Sequence, residues 1–367
     1  MRILVTASLI FLSGCSSFHF ISRETPQDAE MQAAQRASEE AEIGNAEKVL
    51  AAGRFEEARI LFRDFQTRHA QSTFLHSARL GEAEALEGLG RYQESVELNR
   101  EVYLKSLKYQ PAIAALALYR MSFAYEALGD DEKTIASLLD AKRLGEHLSP
   151  EVREAEIPAR LAVVYARQNR EKEVEAYLNQ AEKGIARLRE ELGPQLKKDW
   201  LAKTYVQMGS VSTNQLSVEN FEEYARSQRW VQIYLIKALK LNDAVWSPRA
   251  LAKLQETYRD LYTQVESASG REQQSQLGAT LVELVDQAEL YKPILGQKMN
   301  TYEQGFFSFL AEVKKKTETL LYQSGETMGL TEESQQLNSL KRLPRAKESA
   351  KPLPLPPKIV PSEDPNL

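Results

Sequence analysis

Gly53, Gly90, Gly129, Asn169 and Gly209 recur at separations of 37, 39, 40 and 40 residues. From about Met31 the intervening chain is rich in Ala, Glu, Leu, Arg and Lys, with apolar residues three and four apart, the pattern of amphipathic helices. Glycine or asparagine after such a stretch suits the left-handed backbone that ends a helix. The flanking columns keep the same period. Seven residues before each turn stand Ala46, Ala83, Ser122, Ala162 and Ala202, all small. Four before it stand Val49, Leu86, Tyr125, Tyr165 and Tyr205, all large. Five after it come Ala58, Ser95, Thr134 and Val174; nine after come Phe62, Asn99, Leu138 and Leu178, where Asn99 breaks the apolar run. Small residues let helices approach and large ones fill the groove beside them. A period near forty with this alternation predicts an all-α solenoid of stacked helical hairpins.

The segments Gly53-Arg54-Phe55-Glu56-Glu57-Ala58 and Gly90-Arg91-Tyr92-Gln93-Glu94-Ser95 resemble the central signature of the tetratricopeptide (TPR) repeat. The likeness is good over residues 40–190 and loose over 195–240. Asp131 and Glu171 replace the aromatic in later units, no early Trp appears, and the closing Pro is displaced to Pro111, Pro150 and Pro194. The first unit is also distantly similar to the outer-membrane lipoprotein of the β-barrel assembly machinery, which lacks roughly the last 150 residues seen here. The repeat likeness implies a right-handed solenoid whose first helices line a concave face. In that register Leu80, Glu84, Glu87, Tyr119, Phe123 and Glu126 point inward. Two aromatics among three acids would receive an extended or helical peptide carrying basic and apolar residues. Inter-repeat packing of Tyr119 and Phe123 is the competing reading.

Beyond Gly209 the polar stretch 210–217 lengthens the turn. Helices are expected at about 219–241, 248–268, 271–291 and 299–324, longer than those of the repeats and suited to a bundle that caps the solenoid. The expected divisions are therefore a repeat domain over 31–209, a helical region over 210–325 and a tail over 326–367. Seven of the fourteen prolines lie between Pro344 and Pro365. With Lys341, Arg342, Arg345, Lys347, Lys351 and Lys358 they describe a disordered, basic, proline-rich tail, able to meet anionic polymer or lipid.

At the other end, Met1-Arg2 precedes a mostly apolar run to Leu12 that is too short to cross a bilayer and has the shape of a signal peptide over 1–14. Leu12-Ser13-Gly14-Cys15 resembles the bacterial lipoprotein processing signal, and Cys15 is the chain's only cysteine. That resemblance implies acyl (palmitate) chains on Cys15, a tether over 15–30, and, with Ser16 next, an outer-membrane lipoprotein facing the periplasm. Several acyl chains anchor firmly where one does not.

A net charge of -5 gives no nucleic-acid footprint. One cysteine and four scattered histidines, His19, His69, His76 and His147, argue against disulfides, a metal site or a bound cofactor. No residue constellation points to catalysis. The expectation is a lipid-anchored scaffold that binds other envelope proteins through its repeat groove. Assembly of outer-membrane barrels, and cell-wall remodelling or its regulation, are the alternatives.

Overall fold

Four of the five expected turns are built alike. Gly53, Gly90 and Gly129 have φ of 75°, 74° and 73°, and Asn169 has 56°. After each, the next residue's N–H reaches the carbonyl five positions back: Arg54 to Val49 at 3.2 Å, Arg91 to Leu86 at 2.9 Å, Asp130 to Tyr125 at 3.0 Å and Arg170 to Tyr165 at 3.0 Å. This is the Schellman closure, which satisfies carbonyls left over at a helix end. The acceptors belong to the large-residue column. Gly209 differs: its φ is -75°, and Ser210 N–H turns to Gln207 instead. A Cβ at Gly209 would lie 2.6 Å from the Leu235 side chain. Glycine is required there for close helix approach rather than for a left-handed turn.

The computed structural model describes residues 26–211, 216–217, 219–292 and 298–326, all helical or irregular. The expectations for Cys15, the 1–14 segment, the tether up to residue 25 and the tail from 327 lie outside these residues. Within them, helix α1 (Pro26–Ala51) begins inside the stretch expected as tether. Pro26 opens it, a position where the missing N–H costs nothing.

By compactness the chain divides into residues 1–102 and 103–367. In the first unit, α1, α2 (Phe55–Arg68) and α3 (Leu75–Gly88) enclose Ile43, Ala46, Val49, Ala58, Phe62, Phe65, Ala78 and Ala85. A Cβ on Gly81 would meet the Phe62 ring at 2.3 Å, and one on Gly88 would meet Phe55 at 2.3 Å. Two α3 glycines one heptad apart thus seat two aromatics spaced alike on α2. Helix α4 (Tyr92–Ser106) follows. Its Asn99 is fully buried, donating to Ser95 Oγ at 3.2 Å, while Ser95 donates to Glu87 Oε1 at 2.9 Å. The polar break in the apolar column is therefore held by neighbours in the same hairpin.

The second unit holds α5 (Pro111–Ala127), α6 (Asp131–Arg143), α7 (Ile157–Arg167), α8 (Glu171–Leu192), α9 (Lys198–Met208) and α10 (Phe221–Lys240) as antiparallel pairs. Helices α11 (Trp246–Ser267), α12 (Arg271–Glu289) and α13 (Thr301–Glu326) then pack with α10. A π-helical segment, Val152–Glu156, leads into α7. A Cβ on Gly184 of α8 would lie 2.0 Å from the Glu154 carbonyl oxygen, so the widened turn fits only against glycine. One core runs from Ala115 to Val313. Across the expected division at 209/210, α10 to α13 share their core with the α5–α9 hairpins. The small-residue column is 0–2% exposed throughout, as close helix approach demands.

Candidate protein-binding site

On α5, Tyr119, Ser122, Phe123 and Glu126 stand at i, i+3, i+4 and i+7, one face of the helix. Opposite them the π segment and α7 place Glu156, Arg160 and Arg167, and α9 adds Trp200. The centre is Arg160, whose side chain is 1% exposed. Its guanidinium carbon lies 3.6 Å from the Phe123 ring centroid and 5.5 Å from that of Tyr119. Nη1 donates to Ser122 Oγ and Nη2 donates to Glu126 Oε2 at 2.7 Å. Arginine suits such a place, because its planar, weakly hydrated cation can stack and fork at once.

Glu156 is buried beside it and accepts from two neutral donors, the Tyr119 hydroxyl and Trp200 Nε1 at 2.6 Å. Burial, followed by the Glu156 charge, pushes the Tyr119 phenol well above its ordinary range, which keeps it a donor. Arg167 closes the outer edge, bonding Glu126 at 3.1 Å and Asp131 at 2.7 Å. Burial alone would raise the Glu126 carboxyl. The charges and hydrogen bonds of Arg160 and Arg167 outweigh it and hold the pKa below the usual value. The seam thus has a buried interior and a half-exposed rim of Phe123, Glu126, Arg167 and Asp131.

The six residues expected to face inward fall into two groups. Leu80, Glu84 and Glu87 lie on α3 in the first unit, at the same offsets from Gly90 as Tyr119, Phe123 and Glu126 have from Gly129. Leu80 is buried at 6% exposure; Glu84 and Glu87 are half-buried, and Glu87 accepts from Ser95. In the second unit Tyr119, Phe123 and Glu126 come together, but the cation expected from a partner is supplied by the chain's own Arg160. Tyr119 is 6% exposed and packed between helices, while Phe123 keeps a half-exposed ring. Arg160, Glu156, Trp200 and Arg167 were not singled out from the sequence. A signal for the first existed: Arg160 is the lone charge in the otherwise apolar run from Ile157 to Val164, and a charge inside such a run is buried with a partner or not at all.

His69 ends α2 and lies 3.5 Å from Glu39 and 3.4 Å from Glu42. No described helix is long and apolar enough to cross a membrane.

No protein-family model matches the chain, and no curated protein matches it. Among solved structures it is similar to nearly identical TPR-like repeats assigned to a Podospora anserina kinesin light chain, at 15% identity and TM-score 0.40, covering 56% of this chain and 95% of that one. It is also similar to the TPR2AB domain of yeast Sti1 in complex with pHSP90, at 16% identity and TM-score 0.32, covering 79% and 99%.

Proposed function

We propose that this protein is a non-catalytic scaffold for protein partners, held at the bacterial outer membrane by acyl chains on Cys15 and acting in envelope assembly. The observation that carries the binding role is the Arg160 seam. It locks three first helices of successive hairpins together through side-chain hydrogen bonds and leaves Phe123, Glu126, Arg167 and Asp131 as a rigid, half-exposed rim. An aromatic face bordered by acids and one arginine suits a peptide bearing apolar and charged side chains, and a preordered rim reduces the entropy lost on binding. The lipoprotein-like run Leu12-Ser13-Gly14-Cys15 supports the anchor, and anchoring raises the effective concentration at the membrane, which favours weak rim contacts.

The test has two arms. Metabolic palmitate labelling with membrane fractionation should mark the intact chain and miss Cys15→Ala; label on that variant ends the anchoring idea. Cross-linking from membranes should recover partners with the intact chain and lose them with Phe123→Ala, whose helical circular dichroism must be unchanged. Partners retained by a folded Phe123→Ala protein remove the rim from the mechanism.

A further inference from the structure

A shallow, open cavity of about 480 Å³ lies between α6 and α8, lined by Lys142, Lys172, Glu173, Ala176, Tyr177 and Gln180. These are second helices of their hairpins and contribute nothing to the seam's buried interior. The floor is fixed, because the Tyr177 ring stacks on Tyr165 with centroids 5.5 Å apart and planes 9° from parallel. Lys142 is half-buried; its Nζ donates to Gln180 Oε1 at 2.9 Å and sits 5.1 Å from the Tyr177 centroid. Burial holds its amine below the ordinary lysine range.

The nearby carboxylates are already engaged. Glu154 is bound by Arg153 at 2.8 Å and Arg187 at 3.2 Å, and Glu173 is taken by Arg170. Lys142 makes no ion pair among the described residues, and neither does the exposed Lys172. Two ammonium groups therefore border one cavity without a carboxylate of their own, in a chain where Asp and Glu outnumber Lys and Arg, 52 to 47. Gln180 gives its oxygen to Lys142, which leaves its amide hydrogens to donate.

We propose that this cavity docks an acidic peptide segment of a partner protein. A Glu or Asp carboxylate sits among Lys142, Lys172 and the Gln180 amide, with its methylene stem and an adjoining apolar side chain against Tyr177 and Ala176. The lining holds no arginine, the residue whose fork matches phosphate. Two point charges and one carboxamide beside an aromatic face match a carboxylate on a short apolar stem. The proposal needs neither the lipid anchor nor the Phe123 rim, so it stands or falls apart from them.

The probe is a short fluorescein-labelled peptide with two adjacent glutamates followed by phenylalanine, titrated at low ionic strength into the full chain and read by anisotropy. Replacing both glutamates by glutamine should weaken binding about tenfold, as should Lys172→Glu in the protein. Lys172 is exposed, so that variant reads the site without disturbing the fold; Lys142→Gln with Lys172→Gln should abolish binding. Equal affinity for the glutamine peptide, no saturable binding, or no effect of Lys172→Glu overturns the proposal. Displacement of the peptide by equimolar inorganic phosphate would show a small-anion site instead. Lysine-dependent binding to vesicles of anionic phospholipid without peptide binding would show a membrane site.

Discussion

The second unit joins its helices in two ways. Between α5 and α9 the helices meet over a buried cation: Arg160, at 1% exposure, touches two rings, one hydroxyl and one carboxylate. Between α10 and α13 they meet over rings and aliphatic chains. Phe306 is fully buried, 6.1 Å from the Tyr258 ring and 5.3 Å from Phe307, and Tyr258 satisfies its hydroxyl on Gln232 Oε1 at 2.6 Å. The first arrangement depends on direction and fixes one register; the second depends mainly on volume. A seam of the first kind carries a polar rim to the surface, where a partner can read it.

The contrast breaks most readily at its centres. Arg160→Ala should cost about 3–5 kcal/mol, because it takes the buried partner from Glu126 and Ser122 and leaves a gap against the Phe123 and Tyr119 rings. Phe306→Leu, which removes the ring but keeps a branched apolar side chain, should cost about 1–2 kcal/mol. Urea titration of both variants compares them directly, and equal losses would erase the distinction between the seams.

A smaller effect is expected where the π segment meets α8. Gly184→Ala should cost about 1–3 kcal/mol, since a methyl there meets backbone rather than a movable side chain. A neutral result would mean that the π turn relaxes to regular helix.

The glycine turns separate next. Gly129, at φ 73° with nothing within 4 Å of an added Cβ, should accept Asn within about 0.5 kcal/mol. Gly209→Asn drives a side chain into Leu235 and should cost about 1–3 kcal/mol. Thermal unfolding of the two variants checks the difference, and similar losses would restore Gly209 to the left-handed series.

The smallest effect is in pH, and its sign differs between the regions. Glu126 is held below its ordinary value of 4.5. Its stabilisation is therefore full above about pH 4.5 and is lost as pH falls through the folded pKa. Glu303, buried at the start of α13 and bonded to the Asn300 N–H, is pushed up by burial against the lowering effects of that bond and of Lys240. It stabilises most below about pH 4.5 and loses that contribution as pH rises through its folded pKa. Glu303→Gln should therefore raise the melting temperature at pH 7 and change it little at pH 3. Glu126→Gln should lower it at pH 7 and flatten the acid limb. The same sign for both at pH 7 would refute the assignment.

Much of the fold was legible because its signals are local. The turn spacing, the small-residue column and the later helices all read from periodicity, and α10 to α13 begin within two residues of expectation. Gly209 was misassigned because two different needs, a positive φ and absence of a Cβ, both select glycine. The α1 start was missed because proline both breaks a helix interior and opens a helix. Of the seam, Tyr119, Phe123 and Glu126 were placed on one helix face, while Arg160, Glu156 and Trp200 were not connected to them.

The residues alone determined an all-helical chain of hairpins, where its helices end, and which columns are small enough for close approach. Those properties follow from backbone dihedrals and from spacings of three, four and seven residues. Only the tertiary structure decided that one core continues past Gly209, and which charges are buried and by what they are neutralised. The Arg160–Glu126 contact joins residues 34 apart and the Trp200–Glu156 contact residues 44 apart. Helical periodicity places each of these residues on a face of its own helix, and packing alone decides which face it meets.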